Sequence, residues 1–237
     1  MEKKIILTII IGMFLTIMGC RSDKKEQPKD AIVKIQKNRN PQNDSLQRKD
    51  TLTEDNKEPN INPVYTSKSI NIENALINGH KVILSKTEFD AIHPKNDSVK
   101  TTLWECGNPF EWLDKEWMIK KYGPENKEKG TFERFNSEIT TIYLKKIEYN
   151  TNNHLVLFDR ASAENNSFKI ISQNITLDRN TTLEGFKKIF PNAEIEKLAN
   201  KNEVRARFSL GEKIDDAFLF YFKNGKLNYF TLWWLLC

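Results

Sequence analysis

The chain has 237 residues, 37 of them basic and 32 acidic, with three histidines and three cysteines. Its excess of +5 is spread thinly, +1 before residue 20, +2 over residues 21–64 and +2 over the remainder. That distribution excludes the concentrated basic face of a nucleic-acid binder.

Lys3 and Lys4 open the chain, and residues 5–17 form an apolar run interrupted only by Thr8, Gly12 and Thr16. The run ends in Ile17-Met18-Gly19-Cys20. It is too short for a stable spanning helix, which needs about 20 residues. A positive end, a short apolar segment, a small residue and then Cys resemble the lipobox signal peptide of bacterial lipoproteins. The resemblance implies removal of residues 1–19, a diacylglyceride on the Cys20 thiol and an acyl chain on the new amino terminus. Two or more chains give lasting membrane anchorage where one does not. In that family an Asp after the Cys favours the inner membrane; Arg21 stands here, which leans the expectation to the outer membrane of a cell envelope.

Residues 20–64 are polar, mixed in charge and carry Pro28, Pro41, Pro59 and Pro63. Such a stretch buries too little apolar surface to offset its ordering entropy. It is expected to be a tether, about 35–40 Å long on average for a flexible chain. Asp44-Ser45-Leu46, Asp50-Thr51-Leu52 and Asp97-Ser98-Val99 resemble the Asp-Ser/Thr-apolar acceptor of one bacterial phylum's periplasmic O-glycosylation, which marks Ser45, Thr51 and Ser98 as candidate acceptors.

The folded part is expected over 65–237, about 170 residues, enough for one domain or two small fused repeats. Residues 81–84 read as a strand, and Ser85-x-x-Glu88 as a capping box opening a helix that carries Phe89 and Ile92 and stops at Pro94. Residues 175–177, Thr181-x-x-Glu184, Phe186, Ile189 and Pro191 repeat that order. The shared Phe-x-x-Ile-x-Pro predicts an internal duplication, with repeat one at 65–160 and repeat two at 168–237. Three strands are predicted after each helix, at 99–106, 139–144 and 155–158, then at 204–210, 217–222 and 227–234. Asn224-Gly225 predicts a type I′ hairpin. An insertion in the first repeat holds a predicted helix at 111–122, broken by Gly123-Pro124. The fold class is therefore α+β, antiparallel sheet with short helices, in two tandem helix-plus-three-strand repeats. That element order is similar to the tandem repeat of secreted β-lactamase-inhibitor proteins and to the single repeat of small outer-membrane assembly lipoproteins. The similarity rests on element order and carries over no functional residue.

With Cys20 lipidated, Cys106 and Cys237 form an even pair in an oxidising compartment and a candidate disulfide; two buried thiols are the alternative. The five tryptophans fall at Trp104, Trp112 and Trp117 and at Trp233 and Trp234, each group near one of these cysteines. They read as aromatic core, or as a partner surface formed by Trp112, Trp117, Trp233 and Trp234. His80, His93 and His154 lack metal-ligand spacing. His93, beside Pro94 at a helix end, is placed where its charged form suits the helix dipole. No nucleotide or hydrolase fingerprint occurs, so no cofactor is expected. The expected function is a non-enzymatic, membrane-anchored module for a protein or glycan partner. The alternative is an envelope hydrolase using the acidic group Glu105, Glu111, Asp114 and Glu116, or Cys106.

Overall fold

The computed structural model describes residues 63–236. The expected leader with Cys20, the expected tether with Ser45 and Thr51, and Cys237 lie outside the described residues. A 3₁₀ turn, Ile72–Asn74, leads into β1 (Ala75–Ile77), β2 (His80–Lys81) and β3 (Ile83–Ser85). Helix α1 (Lys86–Ile92) precedes β4 (Ser98–Leu103). The insertion supplies α2 (Phe110–Leu113), α3 (Lys115–Tyr122), β5 (Glu125–Asn126) and β6 (Thr131–Phe132). Then come β7 (Glu138–Leu144), β8 (Ile147–Thr151), β9 (Leu155–Ser162), β10 (Phe168–Ile170) and β11 (Ile175–Leu177). After α4 (Leu183–Ile189) the described chain closes with β12 (Glu194–Lys197), β13 (Glu203–Ser209), β14 (Ala217–Lys223) and β15 (Lys226–Trp233).

The fold is α+β, and its main sheet is antiparallel in the order β12-β13-β14-β15-β9-β8-β7-β4, with β3 added to β9. In the main sheet α1 is thus followed by four strands, β4, β7, β8 and β9, and α4 by another four, β12 to β15. The two runs meet where β15 pairs with β9. Expecting three strands per helix missed β8 and β12. Both are polar: Ile-Glu-Tyr-Asn-Thr pairs on both sides in the sheet interior, and Glu-Ile-Glu-Lys forms an edge. A small sheet, β11-β10-β1-β2, draws strands from both halves.

Phenylalanines at alternate positions give the main sheet its buried face. Phe218, Phe220 and Phe222 point one way from β14, as period-two geometry requires. Phe168 of β10 lies 4.9 Å from both Phe218 and Phe220, and Phe186 of α4 lies 5.0 Å from Phe222. On the other half Phe89 of α1 packs 4.9 Å from Tyr149 of β8. Helices and small sheet therefore cover one face. Two tight turns hold the strands in register: Asn224 and Gly225 (φ 52° and 75°) between β14 and β15, as expected, and Lys145 and Lys146 (φ 48° and 66°) between β7 and β8. Lysines in the left-handed region carry no turn signal in sequence.

The helix starts differ from each other. Ser85 and Glu88 form the reciprocal capping box expected of α1. The N-cap of α4 is Thr182, whose hydroxyl accepts from Gly185 N–H, while Thr181 Oγ1 accepts from Asp178 N–H. The expected second capping box is therefore absent: the N-cap lies one residue later, and Gly185, with no side chain to reach back, stands where the first helix has Glu88. The predicted helix at 111–122 is two helices, because Asp114 leaves helical geometry (φ −133°). His93 is corrected as well. It caps α1 inside an aromatic pocket, 4.9 Å from the Phe89 ring and 5.8 Å from His80, with Nε2 buried and unpartnered. Burial first, then His80 and Lys145, pull its pKa below the usual histidine value.

Candidate functional site

The face of the main sheet turned away from α1 and α4 carries a different set of side chains. Register places Arg205, Tyr221, Tyr229 and Ser162 in one row across four strands. The next row runs Arg207, Leu219, Thr231, Arg160, Glu148 and Tyr143. Trp233 follows Tyr229 and Thr231 on the same side of β15 at the two-residue period. Tyr221 and Tyr229 stack with centroids 4.2 Å apart and planes 14° apart. The Arg160 guanidinium lies 4.1 Å over the Tyr229 ring, a cation–π contact whose edge donors stay open to the outside. Arg205 pairs with Glu196 across β12 and β13. Arg207 sits 3.5 Å from Glu194 and donates to the Asp215 carbonyl at 2.7 Å. A cleft of about 420 Å³ opens on this face, lined in part by Tyr143, Lys146, Glu148, Arg160, Ser162 and Tyr229. Asp159, the extra residue where β8 and β9 shift register, precedes Arg160 in β9. Burial, reinforced by Glu148 and opposed by Arg160, pushes its carboxyl up to about 6.

The four tryptophans of the expected partner surface separate. Trp233 is 40% exposed and Trp112 49%. Trp234 is half-buried, packs on the core and meets Trp112 edge-on at 5.8 Å, so the insertion and the end of the chain do come together. Trp117 is structural: it stacks flat on His154, 4.9 Å and 5° apart, with Lys121 Nζ 4.7 Å over its ring.

The acidic group does not converge. Glu111 accepts from Asn108 Nδ2 at 2.9 Å and from Thr131 Oγ1 at 3.0 Å, facing the β5–β6 hairpin; burial raises its pKa. Asp114 turns to the β8–β9 loop, accepting from Asn152 Nδ2 at 2.7 Å, with His154 Nδ1 at 2.9 Å. Glu105 and Glu116 are exposed. The Asp114–His154 pair orients an imidazole as a general base would be oriented, yet Trp117 covers that ring's face. Its evident effect is to clamp the insertion onto the sheet. Sequence offered no sign of this pairing across forty residues. Cys106 is disulfide-bonded, so its sulfur is no thiolate nucleophile; the chain's other cysteines, Cys20 and Cys237, lie outside the described residues. Ser98 is exposed at the start of β4, and the neighbouring Asp97 carboxylate accepts from Lys145 N–H at 2.8 Å. Among the described residues no group of three or more His, Cys, Asp or Glu is placed to hold a metal.

The arrangement has few local sequence signals: Arg160, Tyr221 and Tyr229 come from three strands and meet only through pairing. No protein-family model matches the chain, and no curated protein or solved structure matches it either.

Proposed function

We propose that the chain is a lipid-anchored envelope protein, held by Cys20 at a membrane, most simply the outer one. Its part after residue 64 acts as a non-enzymatic binding module. The observation that carries the reading is the sheet face turned away from α1 and α4, where Tyr221, Tyr229, Trp233, Arg160, Arg205 and Arg207 stand together on paired strands. Tyr, Trp and Arg dominate binding hot spots because each combines extensive contact surface with hydrogen-bond donors, Tyr and Trp at little rotamer entropy to lose. Sheet pairing holds the set rigid, which lowers the ordering cost of binding. A protein partner suits such a broad, ladder-like face; a glycan is the other class.

The similar cap geometry of α1 and α4 supports reading the two halves as tandem repeats: the C-cap residues His93 and Phe190 have φ/ψ of −125°/75° and −119°/70°. The leader motif supports the anchor. The test is affinity capture from solubilised envelopes with wild type and with Tyr229→Ala/Trp233→Ala. The double variant is expected to lose at least nine-tenths of a specifically captured partner, while Lys187→Ala on α4 retains it. Equal capture by all three would contradict the reading. In parallel, Cys20→Ala should move the protein from the detergent phase to the aqueous phase.

A further inference from the structure

β4 is the last strand of the main sheet, and it is unusual in what it leaves uncovered. Leu103 is 63% exposed and Val99 58%, the two most exposed large apolar side chains among the described residues. The backbone on that edge has a definite parity. Trp104 N–H donates to the Ser137 carbonyl at 2.9 Å in the β4–β7 register. Ser98, Lys100 and Thr102 therefore turn their amides and carbonyls to β7, and Val99, Thr101 and Leu103 turn theirs outward. The tight Lys145-Lys146 turn between Leu144 and Ile147 fixes the same parity from the other side of β7. The Thr101 and Thr140 hydroxyls, 2.9 Å apart, confirm that these odd residues share one face. So the exposed apolar side chains and the outward hydrogen-bonding groups belong to the same three residues.

We propose that this edge pairs with β4 of a second copy of the chain, antiparallel about a two-fold axis through Thr101. In that register Val99 faces Leu103 of the second copy, Thr101 faces its own equivalent, and Leu103 faces Val99. All three pairs fall at hydrogen-bonded positions, so each outward N–H and C=O finds a partner. Both apolar pairs lie on one face, where cross-strand contact removes them from water. Lys100 then opposes Thr102. Shifting the strands by two residues one way would set Lys100 against Lys100, a like-charge pair. Shifting them the other way would leave Val99 opposite Glu105, where the chain has already turned from the strand. Only the Thr101-centred register satisfies three pairs without a charge conflict. The pairing is isologous and closes at two copies. It also gives the edge an occupant, where an open edge invites uncontrolled association.

The test uses the full chain in detergent. Lys100→Cys, Thr101→Cys and Thr102→Cys are each exposed to a mild oxidant and run without reductant beside wild type, which reports any background from the native cysteines. Across a hydrogen-bonded antiparallel pair the Cα atoms stand about 5.5 Å apart, within disulfide reach. Thr101→Cys is expected to give a reducible dimer well above wild type, and the other two are not. Sedimentation over a concentration series should show a monomer–dimer equilibrium. Val99→Lys/Leu103→Lys should weaken it at least tenfold, with the melting temperature of dilute, monomeric protein unchanged, since both side chains are mostly in water there. Thr101→Pro, whose missing N–H points away from β7, is the second disrupting variant. A monomer at every concentration, cross-linking at 100 or 102 instead, or a dimer indifferent to all disrupting variants would overturn the proposal.

Discussion

Two side chains make stability depend on pH in opposite directions. Asp159 is held protonated to about pH 6 by burial and by Glu148, so between about pH 4 and 6 the folded chain binds the extra proton. Its penalty therefore grows as pH rises through that window. Asp159→Asn is expected to raise unfolding free energy at pH 7 by on the order of 2 kcal/mol, and by little at pH 4; urea melts at the two values measure it. His93 works the other way. Its folded-state pKa is depressed by burial, so the unfolded chain binds the proton first and stability falls as pH drops below the unfolded value, about 6.5. His93→Phe, which copies Phe190 at the matching cap of α4, should remove that loss and leave the unpartnered Nε2 atom out of the core. A melting curve at pH 5.5 showing no gain over wild type would count against the account of this pocket.

Among elements, the helices and the long aromatic strands were legible because their signals are local. Ser85-x-x-Glu88 opens α1, Asn224-Gly225 closes the β14–β15 hairpin, and the apolar run of residues 217–222 shows in sequence as a strand. What escaped was set by pairing. β8 is buried with Asn150 and Thr151 in it because both find partners: Asn150 Oδ1 accepts from Thr141 Oγ1 at 2.8 Å and Thr151 Oγ1 donates to the Leu155 carbonyl at 2.6 Å, partners no local pattern names. The same holds for the candidate site: tryptophans were visible as a composition, but the Tyr221–Tyr229–Arg160 stack exists only once three strands are in register. The split of the insertion helix at Asp114 likewise follows from Asn152 and His154, far along the chain. At α4 the spacing pointed to Thr181 and Glu184, while the bonds are made by Thr182. Ser85→Ala and Thr182→Ala should each cost about 1 kcal/mol of stability, whereas Glu184→Ala, exposed and outside the cap, should leave the unfolding midpoint unchanged. Chemical denaturation of the three variants separates a one-residue difference in cap position.

At the scale of the molecule, the sheet joins two four-strand runs at β9 and β15, and the insertion meets the chain's end where Trp112 touches Trp234. That contact, together with the disulfide on Cys106, leads us to expect a bridge from Cys106 to Cys237. In the chain-entropy account so long a loop is worth about 4–5 kcal/mol, and often less in practice. Alkylation of envelope-derived protein followed by non-reducing mass analysis should show neither cysteine modified. The insertion is then held at both ends, by the bridge and by the Asp114–His154 clamp, which braces the sheet beside it.

In-place photocrosslinking asks whether the sheet face bearing Tyr229 and Trp233 meets a partner in the envelope. A photoreactive residue at Thr231, between Tyr229 and Trp233, is illuminated in intact envelopes beside one at Lys187 on the opposite side of the sheet. A discrete adduct is expected from position 231, lost with Arg160→Ala/Trp233→Ala and without counterpart at 187. No adduct at 231, or the same adducts from both positions, would contradict the binding role proposed for this face.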